Sequence, residues 1–189
     1  REAGYVFNHF DSLQVKKDYD YLFGERTGLA PYFGKPVRAI FNDSYEFKAN
    51  RHFSDDFIRF FKQQRGYDPT PYLPANMWRG YNNMYERMAH PANAPYFSLG
   101  ADDWRLRYDY DLTLSDLLQK HFLNSSKHWA NARNLLHRTQ TYGLNMDIMA
   151  AAGLAAIPEV ETMLFSKGSE NGYKLITSGA HLYNRPIIS

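Results

Sequence analysis

The chain has 189 residues, which is enough for one domain of ordinary size with a substantial core. Its 22 Lys and Arg nearly balance its 20 Asp and Glu, and the basic residues form no run, so charge offers no basis for binding nucleic acid or an acidic membrane. The absence of cysteine excludes disulfides, thiolate metal sites and a cysteine nucleophile, and no stretch approaches the roughly 20 apolar residues of a membrane span.

Strands that alternate with helices are the main pattern along the chain. The predicted strands are 4–10, 37–41, 135–143 and 185–189, with a further one near Ile157. The predicted helices are 13–23, 54–65, 82–88, most of 102–134, a small-residue helix or loop at 146–156, and 169–184. This alternation favours an α/β fold with parallel strands.

The chain is too short for a complete (β/α)8 barrel, which needs on the order of 250 residues. We therefore expect residues 1–189 to be a portion of one such barrel domain, incomplete in this chain. The first residue is Arg1 rather than Met, and the last run, RPIIS, has no polar tail. These ends suggest a piece of a larger polypeptide.

Aromatic residues dominate the composition, at 16% with 15 Tyr and 13 Phe. Such a content predicts either a large aromatic core or apolar platforms that line a cleft. Sugar rings, which have faces rich in C–H groups, are a natural ligand for such platforms. Composition alone leaves both interpretations open.

Carboxylates follow two of the predicted strands. Asp43 and Glu46 come after the VRAIF run, and Glu159 and Glu161 come after AAIP. In parallel barrels the reacting groups gather at the carboxyl ends of strands, and a pair of carboxyls there suits general acid/base chemistry such as glycoside hydrolysis. The same residues could instead be helix caps or surface carboxylates, because Pro158 can start a helix whose first turn prefers acids.

Other signatures of chemistry are missing from the sequence. The seven histidines show no HExxH spacing, which disfavours zinc. There is no GxGxxG, P-loop or GxSxG motif, so the main nucleotide signatures and a serine nucleophile elbow are absent.

Six ordered blocks of the chain resemble glycoside hydrolase family 106, the α-L-rhamnosidase family active on pectic and other plant polysaccharides. They are FNDSYEF (41–47), FKQQRGYDPTPYLP (61–74), RYDYDLTLSDLLQKHF (107–122), LHRTQTYGLNMDIM (136–149), IPEVETM (157–163) and SGAHLYNRPIIS (178–189). The resemblance implies an inverting glycosidase with a (β/α)8 catalytic domain inside a larger protein. It also implies that Glu46 is the general acid and that Glu159 or Glu161 is an acidic residue lining the site.

Several side chains are candidates for contact with the sugar. Arg138 and Gln140 are alternate residues of the HRTQ strand and should face one side together. The remaining substrate-binding candidates are Asn42, Asp43, Tyr45 and His181. A further catalytic Glu is expected just beyond Ser189, so the partner of Glu46 could lie outside the chain.

The expected partner is a plant cell-wall oligo- or polysaccharide, without nucleic acid or membrane. Some members of the family depend on calcium, which makes calcium a candidate cofactor. A bacterial polysaccharide-degrading enzyme would be periplasmic or extracellular. Two alternatives stay open: a retaining glycosidase with Glu46 as acid/base and Glu159 as nucleophile, and a non-catalytic carbohydrate-binding fragment.

Overall fold

The structure is a computed structural model that describes residues 6–47, 51–77, 97–161 and 170–186. The chain divides into two compact units. The first contains residues 1–44, 117–141 and 147–189, and the second contains residues 45–116 and 142–146.

Helices and three short strands make up the regular structure of the described residues. The α-helices are α1 (Ser12–Phe23), α2 (Phe57–Arg65), α3 (Asp103–Leu117), α4 (Asn124–Asn131), α5 (Ile148–Leu154) and α6 (Glu170–Leu182). The strands are β1 (Ala39–Asn42), β2 (Leu136–Gln140) and β3 (Ile157–Glu159). Shorter 3₁₀ segments are Glu25–Thr27, Ala30–Tyr32 and Thr70–Asn76, and Leu118–Leu123 is π-helical.

A parallel sheet organises the first unit, with the strand order β1-β2-β3. Asn42 at the end of β1 is aligned with Thr139 of β2, and Gln140 at the end of β2 is aligned with Glu159 at the end of β3. Because the strands are parallel, their carboxyl ends lie at one edge of the sheet. The predicted α/β class with parallel strands is thus confirmed.

Aromatic packing builds much of the core of this unit. Asp11 caps α1 by accepting hydrogen bonds from the amides of Leu13 and Gln14. The buried Tyr19 ring of α1 lies 5.4 Å from that of Trp129 in α4. The Trp129 indole N–H donates to Asp20 at 2.7 Å, which ties α4 to α1.

Small residues let α5 and α6 pack closely against each other in the first unit. Ala151, Ala152, Gly179 and Ala180 are all buried there. The small-residue run at 146–156, which the sequence left as either helix or loop, therefore contains a helix that packs closely on its neighbour.

The second unit is helical, with an aromatic core. Phe57 and Phe61 of α2 are fully buried, and the Phe57 ring lies 4.4 Å from that of Tyr110 in α3. Gly66 ends α2 in a left-handed conformation with φ +79°, and its N–H donates to the Lys62 carbonyl, so the helix ends at Arg65, as the predicted helix 54–65 does.

One predicted strand is wrong in its described part. Residues 6–10 form no strand, because Asn8 makes a local turn: its side-chain oxygen accepts from the Phe10 amide at 2.9 Å and its carbonyl accepts from Asp11. The predicted helix at 82–88 lies outside the described residues, as do 187–189 of the predicted last strand. No helix in the described ranges is long and apolar enough to cross a membrane.

Candidate active site at the carboxyl ends of the strands

The sheet of the first unit has two faces with different contents. Side chains alternate between the faces along each strand, and aligned residues of neighbouring strands share a face. On one face, Phe41 is aligned with Arg138, and Gln140 is aligned with Glu159. These four polar or aromatic side chains could meet a ligand at the strand ends.

Glu159 is the best-defined carboxylate at this edge. Only 10% of its side chain is exposed, and it forms an ion pair in which the Arg138 Nε donates to its Oε2. Gln140 Nε2 donates to the other carboxylate oxygen, Oε1, at 3.3 Å. As the alternation of β2 predicted, Arg138 and Gln140 face the same side, and both hold the Glu159 carboxylate in one orientation.

Phe41 is a member of this cluster that the sequence reasoning missed. Its ring is 43% exposed, and the guanidinium carbon of Arg138 lies 4.9 Å from the ring centroid. The available signal was the alternation of the strand, since Phe41 and Asp43 are two residues apart and belong to one face. An exposed aromatic ring beside an ion pair is a suitable platform for a sugar ring.

Asn42, which was predicted to bind substrate, lies on the opposite face. Its side-chain oxygen accepts from the Tyr19 hydroxyl at 2.7 Å and lies 2.7 Å from His137 Nε2. Burial, followed by the charge of Lys127, lowers the pKa of His137 from 6.5 to about 3, so its ring is neutral. The contacts of Asn42 give it a packing role between β1, β2 and α1.

The other candidates of the first unit are distributed differently. Asp43 is exposed just after β1, and its carboxylate accepts from the Ser44 amide at 2.8 Å. Glu161 is half-buried two residues beyond β3. Both lie at the carboxyl ends of their strands, so they remain candidates for contact with a ligand.

His181 lies at the other edge of the sheet. It is exposed in the last turn of α6, and shortly after it Arg185 Nε donates to the Gly153 carbonyl at 3.0 Å. Gly153 belongs to α5, which precedes β3. The end of α6 is therefore near the start of β3, so His181 is not brought together with the residues at the strand ends, and its contact with substrate stays a prediction.

Tyr45 and Glu46 belong to the second unit, where main-chain contacts hold the segment in place. The Tyr45 N–H donates to the Tyr142 carbonyl at 2.8 Å, and both rings are buried. Gly143 has φ +106°, and a Cβ added there would lie 2.6 Å from the Tyr45 carbonyl oxygen. Only glycine fits this contact, so the loops after β1 and β2 meet directly before Glu46, which is exposed.

The described residues do not support a metal step. No group of three or more His, Asp or Glu side chains in the described ranges is arranged to hold a metal ion. Calcium therefore stays an untested prediction, and no step of the chemistry is derived through it.

Comparison with known proteins defines the class of the fold. No protein-family model and no curated protein sequence matches the chain. A solved structure that matches is a rhamnosidase from Novosphingobium sp. PP1Y, with a TM-score of 0.70 and 25% identity over 96% of this chain. The chain spans 17% of the length of that protein.

The chain thus has a rhamnosidase-like α/β fold over a region that corresponds to a minor part of the rhamnosidase. At this level of identity, the likeness supports a glycoside hydrolase only weakly. The Glu159 carboxylate, held by Arg138 and Gln140 in the first unit, is a group that such chemistry could use.

Proposed function

We propose that this chain is part of the (β/α)8 catalytic domain of a family 106 glycoside hydrolase that cleaves terminal α-L-rhamnosyl or related linkages of plant polysaccharides. The observation that carries the proposal is the buried Glu159 carboxylate at the end of β3, held by Arg138 and Gln140. The rhamnosidase-like fold and the ordered blocks of sequence support the same assignment.

The proposed reaction is an inverting hydrolysis by two carboxyl groups. Glu46 donates its proton to the glycosidic oxygen as the bond to the anomeric carbon breaks, and a second carboxylate takes a proton from the water that attacks the opposite face of the sugar. We assign the second role to Glu159, because Arg138 and Gln140 hold its carboxylate in one orientation, with Glu161 or a residue outside the chain as alternatives. Inversion requires about 6.5–9.5 Å between the two carboxyls.

The remaining residues of the face would bind and orient the sugar. Phe41 would stack against the apolar face of the ring, while Arg138 keeps guanidinium N–H groups beyond the one that donates to Glu159. Asp43 would accept from a sugar hydroxyl. Because the cluster sits in a minor part of a larger enzyme, we expect the isolated 189 residues to be inactive, and we expect the whole protein to act in the periplasm or outside the cell.

The test is a matched pair of substitutions in the intact protein. Glu159→Gln keeps the size and shape of the side chain and an oxygen that can accept from Arg138, but it removes the carboxylate base. The kcat on 4-nitrophenyl α-L-rhamnoside should therefore fall by about 10²–10⁴-fold. Glu25→Gln, at an exposed carboxylate of a 3₁₀ segment, is the control and should leave kcat unchanged. Unchanged turnover in Glu159→Gln would remove Glu159 from the mechanism.

Two further readouts separate the alternatives. NMR of the first-formed sugar anomer distinguishes inversion from a retaining mechanism with Glu159 as nucleophile. If the intact protein binds rhamnosides without turning them over, and Glu46→Gln changes nothing, the chain belongs to a carbohydrate-binding protein instead.

A further inference from the structure

A separate pocket lies entirely within the second unit. Its volume is about 680 Å³, within the range of roughly 300–1,000 Å³ that is typical of small-ligand sites. Its walls come from the 3₁₀ segment after α2 and from the start of α3. None of the residues assigned to the proposed reaction lines it.

The wall at the 3₁₀ segment presents two tyrosine rings of different character. Tyr67 is held rigidly, because its hydroxyl donates to Asp109 at 2.9 Å and its ring meets Phe61 edge-on at 5.0 Å. Tyr72 is 49% exposed and its ring centroid lies 6.3 Å from that of Tyr67. Tyr72 therefore exposes ring surface to solvent next to the rigidly held Tyr67 ring.

The backbone around Tyr72 is already ordered for binding. Its N–H donates to the Pro69 carbonyl at 2.9 Å, and Pro71 and Pro74 restrict the segment on either side. A ring on such a segment loses little conformational entropy when a ligand stacks on it.

Carboxylates at the pocket provide hydrogen-bond acceptors. The hydrogen bond from Lys62, with further ones from Thr70, lowers the pKa of Asp68 to about 2, so this side chain is an acceptor at all working pH values. Lys62 and the Thr70 amide bind different oxygens of Asp68, at 2.7 and 3.0 Å, and each oxygen keeps acceptor capacity.

The cations near the pocket are already paired. Lys62 pairs with Asp68, and Arg105 pairs with Asp102 at 3.2 Å. An anionic ligand would therefore meet carboxylates without a spare positive charge from these two side chains. A ligand with an apolar face and a hydroxyl-bearing edge, and no charge, fits this combination best.

We propose that this pocket is a second saccharide site, distinct from the strand-end cluster, that binds a neutral pyranose on the Tyr72 ring with its hydroxyls at Asp68. The proposal rests on the proposed function only for the choice of a rhamnoside as the first probe. The carboxylates of the lining and the pairing of Lys62 and Arg105 favour a neutral sugar over a uronic acid, the charged sugar of pectic chains.

The test follows the Tyr72 ring itself in the intact protein labelled with 3-fluorotyrosine. The resonance that disappears in Tyr72→Phe is assigned to Tyr72, and that of Tyr32 is assigned in the same way. Tyr32 is the matched control, because it is 53% exposed and also follows a proline in a 3₁₀ segment, but lies outside the pocket. Methyl α-L-rhamnoside, methyl β-D-galactoside and D-galacturonate are added in turn.

We expect the two neutral glycosides to shift the Tyr72 resonance saturably, and expect galacturonate to leave it unchanged. Tyr72→Ala should weaken the affinity by about 2- to 12-fold relative to Tyr32→Ala. No shift of Tyr72 with any sugar, or an equal shift of Tyr32, would overturn the site, and an equal response to galacturonate would overturn its preference for neutral sugars. Release of 4-nitrophenol in a parallel assay reports the proposed hydrolysis independently, so either proposal can fail alone.

Discussion

Replacing Gly143 with alanine tests how the chain holds the segment that carries Glu46. Gly143 has φ +106°, and a Cβ there would lie 2.6 Å from the Tyr45 carbonyl oxygen and 2.8 Å from its nitrogen. Both neighbouring atoms are main-chain atoms, which cannot rotate away as a flexible side chain would. Gly66 provides the control, because it has φ +79° with open space around the added Cβ.

The expected cost has one part that both substitutions share and one that belongs to Gly143 alone. An alanine at positive φ costs about 1–2 kcal/mol, and this term applies to both sites. At Gly143 the contact must also open from 2.6 Å to an ordinary distance of 3.4 Å or more, which breaks the bond from Tyr45 to Tyr142. With about 0.5–1.5 kcal/mol for that bond and about 1–3 kcal/mol for residual strain, the cost of Gly143→Ala should exceed that of Gly66→Ala by about 1.5–4.5 kcal/mol.

The assay is hydrogen exchange of the Tyr45 amide, measured by mass spectrometry on the intact protein. Since this amide is the donor in the bond to Tyr142, Gly143→Ala should speed its exchange by about 10- to 2,000-fold, while Gly66→Ala leaves it unchanged. Glu46 follows Tyr45 directly, so the turnover expected from the proposed hydrolysis should fall as well. Equal exchange at Tyr45 in the two variants would refute the steric reasoning.

Two further substitutions test the interiors of the units. His137 is neutral when folded, with a pKa near 3, but takes up a proton below about 6.5 when unfolded, so below that pH stability falls by up to about 1.4 kcal/mol per unit. His137→Gln should flatten this dependence in exchange of β2 amides between pH 7 and pH 5, whereas the exposed His128→Gln should not. Arg51→Met removes the mostly buried ion-pair partner of Asp111 and should destabilise α3 by about 3–5 kcal/mol, measured by hydrogen exchange of α3 amides. The control is Arg59→Met, which removes an exposed ion pair and should cost roughly 0–1 kcal/mol. A pH dependence unchanged by His137→Gln, or equal effects of the two arginines, would contradict these assignments.

The sequence predicted those elements whose signals are local. The predicted helix at 13–23, the predicted helix end at Arg65 and the alternation of β2 each depend on residues within a few positions of one another. The strand expected at 6–10 failed for a local reason as well, because the Asn8 side chain competes with an extended backbone. No element was predicted where the 3₁₀ segment Thr70–Asn76 lies.

At the end of β1, the sequence located the candidate residues along the chain but did not assign them to the correct face of the sheet. Asn42 and Asp43 looked equivalent as polar residues after an apolar run. The strand continues through Asn42, so the two side chains point to opposite sides, and Asn42 is engaged by Tyr19 and His137. Phe41 was predicted only as the end of the strand 37–41, although the same alternation places its side chain on the face of Arg138.

The strand β2 shows why the candidate site depends on its two neighbours. His137 and Thr139 are fully buried on one face, while Arg138 and Gln140 hold Glu159 on the other. A slip of one residue in the pairing would exchange these sets, burying the guanidinium and removing both donors from the carboxylate. The pairing is specified by burial of His137 and Thr139, so packing on their face of β2 maintains the ion pair between Arg138 and Glu159 on the other. Substitutions of the buried pair should therefore disturb that ion pair through strand register, although they leave Arg138, Gln140 and Glu159 unchanged.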